Sequence, residues 1–185
     1  MRGLANAGRP SPFSLTHFSD RKAHIVPLTW ETLAAQYPDY RSKPDGAAMK
    51  RDIGGAVTEA WLGENTCVIR LSRALNYSGS PVPANFPRLE TVKGGDGKNY
   101  AYRVAEIRPW LARTFGKPDF DLVKKNGEAF DKSTLSGIKG IIAFDIHFGD
   151  ATGHVDLWDG ASFSNEDKAA NYWTAAKRIT VWKAV

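Results

Sequence analysis

Apolar residues recur at helical spacing through the first two-thirds of the chain and change to a period of two near the C-terminus. Leu28, Trp30, Leu33 and Ala34 predict a helix over 29–37, with Thr29 at its cap and Pro38 as its stop. Residues 39–46 are polar and carry Pro44 and Gly46, which reads as loop; a short helix is expected after Gly54-Gly55. Val68, Leu71, Ala74 and Leu75 then mark a helix that starts at Cys67 and ends near Asn76. Pro81, Pro83 and Pro87 keep 78–87 as loop or extended chain, and Gly94-Gly95-Asp96-Gly97 is turn chemistry. Residues 100–104 alternate as a short strand, and 105–115 read as a helix with Pro109 in its first turn. From Gly140 onward Ile142, Phe144, Ile146 and Phe148 alternate with Ala143, Asp145 and His147, the signature of a strand. Residues 149–153 are a connector short enough for a hairpin. The return strand, 154–158, places His154, Asp156 and Trp158 on one face, and 179–182 form the last strand. Helices first and strands later imply an α+β fold with an antiparallel sheet. The Arg-, Gly-, Pro- and Ser-rich residues 1–25 read as a flexible arm, leaving 26–185 as a single domain.

Composition narrows the functional classes. The 185 residues are 42% hydrophobic and 24% charged, as in ordinary globular domains, and no stretch is long and apolar enough to cross a membrane. The first residues lack the uninterrupted apolar core of a Sec signal peptide. The formal charge of +5 suits an acidic partner (nucleic acid, a membrane surface or an anionic polymer such as a cell wall), but the basic residues are scattered and no nucleic-acid-binding motif is present.

Candidate chemistry centres on the single cysteine. Asn65 and Thr66 are good helix-capping types, so Cys67 falls in a first turn, where the helix N-terminus favours the thiolate that attacks carbonyls. A lone Cys with a remote His is the pattern of a thiol hydrolase, and His154 is the best placed of the four histidines. His17 and His24 lie in the arm, and His147 sits among small and acidic neighbours on a strand. Two rival readings use the same residues. In one, Cys67 is an inert buried cysteine in a non-catalytic module that binds an anionic polymer. In the other, a metal-dependent hydrolase uses Asp145, His147, Asp150, His154, Asp156 and Asp159, which crowd one hairpin without matching a metal-ligand spacing.

Several segments in one order resemble the fourth amidase-effector family of the bacterial type VI secretion system. Ile53-Gly54-Gly55 is similar to its pre-nucleophile glycine element, and Cys67-Val68-Ile69-Arg70-Leu71-Ser72 with Ala74-Leu75-Asn76 is similar to its nucleophile helix. Residues 100–104 with Gly116-Lys117-Pro118-Asp119 are similar to its middle segment. Lys139-Gly140-Ile141-Ile142 and Gly153-His154-Val155 with Leu157-Trp158 are similar to its histidine hairpin. The resemblance implies a papain-like thiol amidase, its nucleophile helix packed on the sheet, that cuts the D-glutamate–meso-diaminopimelate bond of peptidoglycan stem peptides. It implies Cys67 as nucleophile, His154 as base, and no metal or organic cofactor. It further implies delivery by the type VI machinery, action in the periplasm of a target bacterium, and a cognate immunity protein; neither nucleic acid nor membrane insertion is expected. The family's triad ends in aspartate, and its interval after the histidine falls here on Asn165, with Asp167 two residues on. Asn165 is therefore expected to accept the Nδ1–H of the imidazole, Asp167 is the runner-up, and Asp156 comes third because an i,i+2 neighbour on a strand points alongside the ring. The backbone N–H of Cys67, as a first-turn amide, is the expected oxyanion donor.

Overall fold

Apolar spacing, more than side-chain capping, locates the helices. In the computed structural model, which describes residues 27–125, 127–147, 152–164 and 171–185, helix α1 runs Trp30–Gln36 behind Thr29 and buries Leu33. The arm expected over 1–25 lies outside the described residues. Helix α2, Gly46–Ile53, was not anticipated. Its signal is Asp45, whose carboxylate accepts from the amides of Ala47 and Ala48 and so satisfies donors that a helix start leaves open. Two single turns of 3₁₀ helix, Gly55–Thr58 and Ala60–Leu62, stand where a short helix was expected. They lead into α3, Cys67–Tyr77, which is buried along most of its length.

Helix α4 spans Val104–Phe115, so Pro109 lies in its second turn rather than its first. Pro109 and Ala105 are both exposed, so the carbonyl that loses its donor at Pro109 faces solvent, which lowers the cost of an interior proline. Strands β1, Thr91–Lys93, and β2, Asn99–Ala101, pair as a small hairpin around the glycine turn. The main sheet is antiparallel with order β3-β6-β4-β5, built from Phe120–Val123, Arg178–Lys183, Gly140–Asp145 and His154–Trp158. A short helix α5, Tyr172–Ala175, precedes β6.

Both faces of this sheet are covered, so the alternation expected in β4 does not divide a buried face from an exposed one: Gly140 to Phe144 are all buried. Ile141, Ala143, Val155, Leu157 and Trp182 pack under α1, α3 and α4. Ile142, Phe144, Ile179 and Val181 pack on the other side with Leu135, Phe163 and Tyr172. A third cluster, Met49, Ile53, Val57, Ile69 and Tyr100, locks α2 and the 3₁₀ turns onto α3. Close backbone contact at Gly55 makes that junction possible: it sits at φ +63°, and a Cβ there would lie 2.6 Å from the Gly95 nitrogen. Strand β5 is the sheet edge, and α3 abuts it.

Candidate active site

That edge contact brings the start of α3 to the start of β5, and therefore Cys67 to His154. Gly153 sets how the chain enters β5. A Cβ at Gly153 would stand 2.5 Å from the Phe144 carbonyl oxygen and 3.0 Å from Val104 Cγ1, so only glycine lets β5 pair with β4 from its first residue. Cys67 and His154 are 2% and 3% exposed, and Cys67 lies close enough to His154 to help raise the proton affinity of its imidazole. The burial of Cys67 is what an inert core cysteine would show, but its neighbours here are an imidazole and, behind it, a carboxylate.

Asp156 supplies that carboxylate. Its Oδ2 lies 3.4 Å from Nε2 of His154, and the group is fully buried. The carboxylate also accepts from the Leu157 amide at 2.8 Å and from the Ser164 hydroxyl at 3.0 Å and 3.2 Å. The expectation that Asp156 lies alongside the ring is corrected: at the edge of a twisted sheet its carboxylate reaches the ring nitrogen. The nitrogen that meets Asp156 is Nε2, not the expected Nδ1. Asn165 and Asp167 lie outside the described residues.

Burial alone would push the His154 imidazole toward the neutral form. It is outweighed by the hydrogen bonds to Asp156 and Cys67 and by the negative charge these two carry, so its pKa is raised from 6.5 to about 9. The Tyr37 phenol is held well above its usual range by burial and then by the charge of Asp156. Tyr40 is likewise pushed up by burial, then by the charges of Cys67 and Asp156, against the opposing pull of Arg70 and a hydrogen bond with Thr66. Its ring stands 6.0 Å from that of His154, and Tyr172 approaches the imidazole to 5.0 Å on another side. Two neutral phenols and the aromatic rings thus form a wall of low polarity around Cys67 and His154.

Arg70, one turn along α3 from Cys67, fixes Tyr40 in place. Its guanidinium lies 4.0 Å over the Tyr40 ring, donates to Thr66 Oγ1 at 2.9 Å, and donates to the carbonyls of Pro38, Asp39 and Lys43. The amide of Cys67 is not free, as had been expected: it donates to Asn65 Oδ1 at 3.3 Å. Asn65 therefore caps the helix start, while the hydroxyl of Thr66 serves Arg70 instead.

Of the other carboxylates of the hairpin, Asp150 lies outside the described residues, and Asp145 and Asp159 are engaged elsewhere. Asp145 faces Arg108 at 3.9 Å, and Asp159 accepts from the amides of Ala161 and Ser162. His147 is exposed. Among the described residues no three His, Cys, Asp or Glu side chains are placed to share a metal ion.

Residues 64–182 match the family model of the type VI secretion system amidase effector protein 4, Tae4. The chain belongs to this family. It is an amidase effector of the type VI secretion system, and its α+β fold is that of the solved Tae4 structures. In the effector–immunity system Tae4/Tai4 from Salmonella typhimurium the matching chain is 30% identical, with a TM-score of 0.73 over 86% of this chain and 100% of that one. In the Tae4–Tai4 complex from Enterobacter cloacae the identity is 28% and the TM-score 0.74, over 86% of this chain and 100% of that one. The effector Tae4 from Enterobacter cloacae gives 28% and 0.73, over 87% and 99%. No curated protein matches the chain. Family membership decides between an enzyme and the non-catalytic binding module, in favour of the enzyme.

Proposed function

We propose that this amidase effector hydrolyses the bond between D-glutamate and meso-diaminopimelate in peptidoglycan stem peptides, with Cys67 as nucleophile and His154 as acid and base. The observation that carries this reading is the buried line from Cys67 through His154 to Asp156. With its pKa raised to about 9, His154 is the imidazolium near neutral pH and balances a Cys67 thiolate. The thiolate attacks the carbonyl carbon, and Asn65 Oδ1 gives up the Cys67 N–H to the oxyanion that forms. As the C–N bond breaks, His154 hands its proton to the leaving amine and a thioester remains on Cys67. His154, now neutral, takes a proton from water; the resulting hydroxide releases D-glutamate's carboxylate and restores the pair. Asp156 holds the imidazole through Nε2 and stabilises its charge, a role for which Asn165 and Asp167 are the alternatives the family resemblance supplies.

The type VI route carries the effector into a neighbouring bacterium, where peptidoglycan lies in the periplasm, so that is its place of action. A cognate immunity protein is its expected partner, since the similar structures from Salmonella typhimurium and Enterobacter cloacae are effector–immunity complexes. Digestion of purified sacculi, with fragments weighed by mass spectrometry, tests the whole reading. Wild-type protein should release fragments that end in D-glutamate, and Cys67→Ala should release none. Cleavage at another bond, or cleavage by folded Cys67→Ala protein, would refute it.

A further inference from the structure

Two cations are buried, and among the described residues neither forms an ion pair with a carboxylate. Lys50 is 8% exposed, and its ammonium donates to the carbonyls of Glu59 at 3.4 Å and Gly63 at 3.2 Å. Arg70 is fully buried, and its partners are the three loop carbonyls and the Thr66 hydroxyl. Charges withdrawn from water are ordinarily matched by opposite charge. Here both line one open cavity of about 920 Å³, whose walls also include Tyr40, Arg51 and Thr66, the residue that precedes Cys67.

The acidic groups in this cavity do not neutralise them. Asp45 is turned to the start of α2 and to Arg51 at 3.8 Å, and Glu64 is exposed. An ammonium has three protons, and the two carbonyls account for two of them. The third is available to whatever fills the cavity. The Lys50 stem is held down by its burial, so this cation is already positioned rather than recruited from solvent.

We infer that this cavity is an anion subsite that takes a free carboxylate of the substrate peptide on Lys50, with Arg51 at its mouth and the charge of Arg70 behind it. The inference rests on the reading of the protein as a stem-peptide amidase. Both residues that flank the proposed scissile bond bring such a group, the α-carboxylate of D-glutamate and the side-chain carboxylate of diaminopimelate. Such a subsite would select acidic peptides, because a charge-assisted hydrogen bond to a pre-positioned cation is lost when the carboxylate becomes a carboxamide.

The experiment compares matched muropeptides carrying carboxylate or carboxamide, at D-glutamate in one pair and at diaminopimelate in the other. Wild-type protein should prefer the acid in one pair by about tenfold or more in kcat/KM, carried by KM. Lys50→Met should bring that ratio close to one, and Lys50→Arg should keep most of it. Because each ratio is taken within one variant, a fall in the amount of folded protein leaves it unchanged. A merely structural Lys50 would slow both members of a pair equally. A wild-type protein without preference in either pair, or a preference that survives in Lys50→Met, overturns the subsite. Binding of the same peptides to the Cys67→Ala protein reads the preference independently of cleavage. Failure of the proposed reaction would therefore show as uncut wild-type digests, with the subsite still decided by binding.

Discussion

Asp156 and His154, two residues apart on the edge strand of the main sheet, meet through Oδ2 and Nε2 at 3.4 Å in a fully buried setting. Removing the charge while keeping the shape isolates what this contact does. Asp156→Asn should lower kcat by about a hundredfold or more, because an amide can neither stabilise an imidazolium nor fix its tautomer as well. Asn165→Ala and Asp167→Ala should cost far less. Steady-state kinetics on a muropeptide checks the ranking; an inert Asp156→Asn change beside a damaging one at residue 165 or 167 would move the orienting role to that loop.

The raised pKa of His154 fixes a pH limb. The imidazolium is lost as pH rises through about 9, and with it the proton for the leaving amine. Activity should therefore fall above about pH 9. In Asp156→Asn, which lacks a group that raises this pKa, the limb should move to lower pH. Stability follows the same group. A folded pKa above the unfolded value of 6.5 means that its contribution is complete below pH 6.5 and disappears as pH rises through about 9. Melting temperatures across that range should decline in wild type and decline less in His154→Phe.

Much of this site was legible in the sequence because its parts are local. A sole cysteine behind two capping residues marks the start of α3, and Gly153-His154 opens a strand whose alternation is plain. What was missed depends on tertiary position. Asp156 was ranked low because strand geometry sets i,i+2 side chains parallel, and no local pattern reports the edge placement that brings its carboxylate to the ring. Arg70 carried no assigned role, since nothing in its sequence neighbourhood announces the loop carbonyls of Pro38, Asp39 and Lys43. The first-turn amide of Cys67 was expected to be free, because helix starts ordinarily leave it so; Asn65, two residues back, takes it. Helix α2 was hidden by Gly46, a poor helix former that is tolerated at a first position capped by Asp45.

Gly153 gives a prediction about stability. The methyl of Gly153→Ala would collide with the Phe144 carbonyl oxygen at 2.5 Å, a backbone atom that cannot turn aside. Strand β5 would have to shift from β4 at the residue beside His154. The variant should lose about 1–3 kcal/mol of stability, as overpacked sites do, and most of its activity. Denaturant melts and kinetics on the surviving folded fraction check both; a variant with unchanged melting and unchanged kcat would show that the strand entry has slack.

Thiol reactivity separates the catalytic pair from a buried cysteine that happens to lie near a histidine. Alkylation reads the thiolate directly, since that form and not the thiol attacks iodoacetamide. Near pH 7 the wild-type Cys67 should react as a paired thiolate, and its rate should drop in His154→Ala, because that side chain no longer supplies the balancing positive charge. His147→Ala should leave the rate unchanged, as His147 is exposed and lies past the end of β4. Hydrolysis should follow the same order, with His154→Ala nearly as inactive as Cys67→Ala and the double variant little worse, because members of one catalytic unit do not add. Burial of Cys67 at 2% exposure sets the absolute rate below that of a free thiolate, so the comparison between variants is the decisive quantity. Equal alkylation rates in wild type and His154→Ala would dissolve the pair and leave Cys67 to act, if at all, without a base.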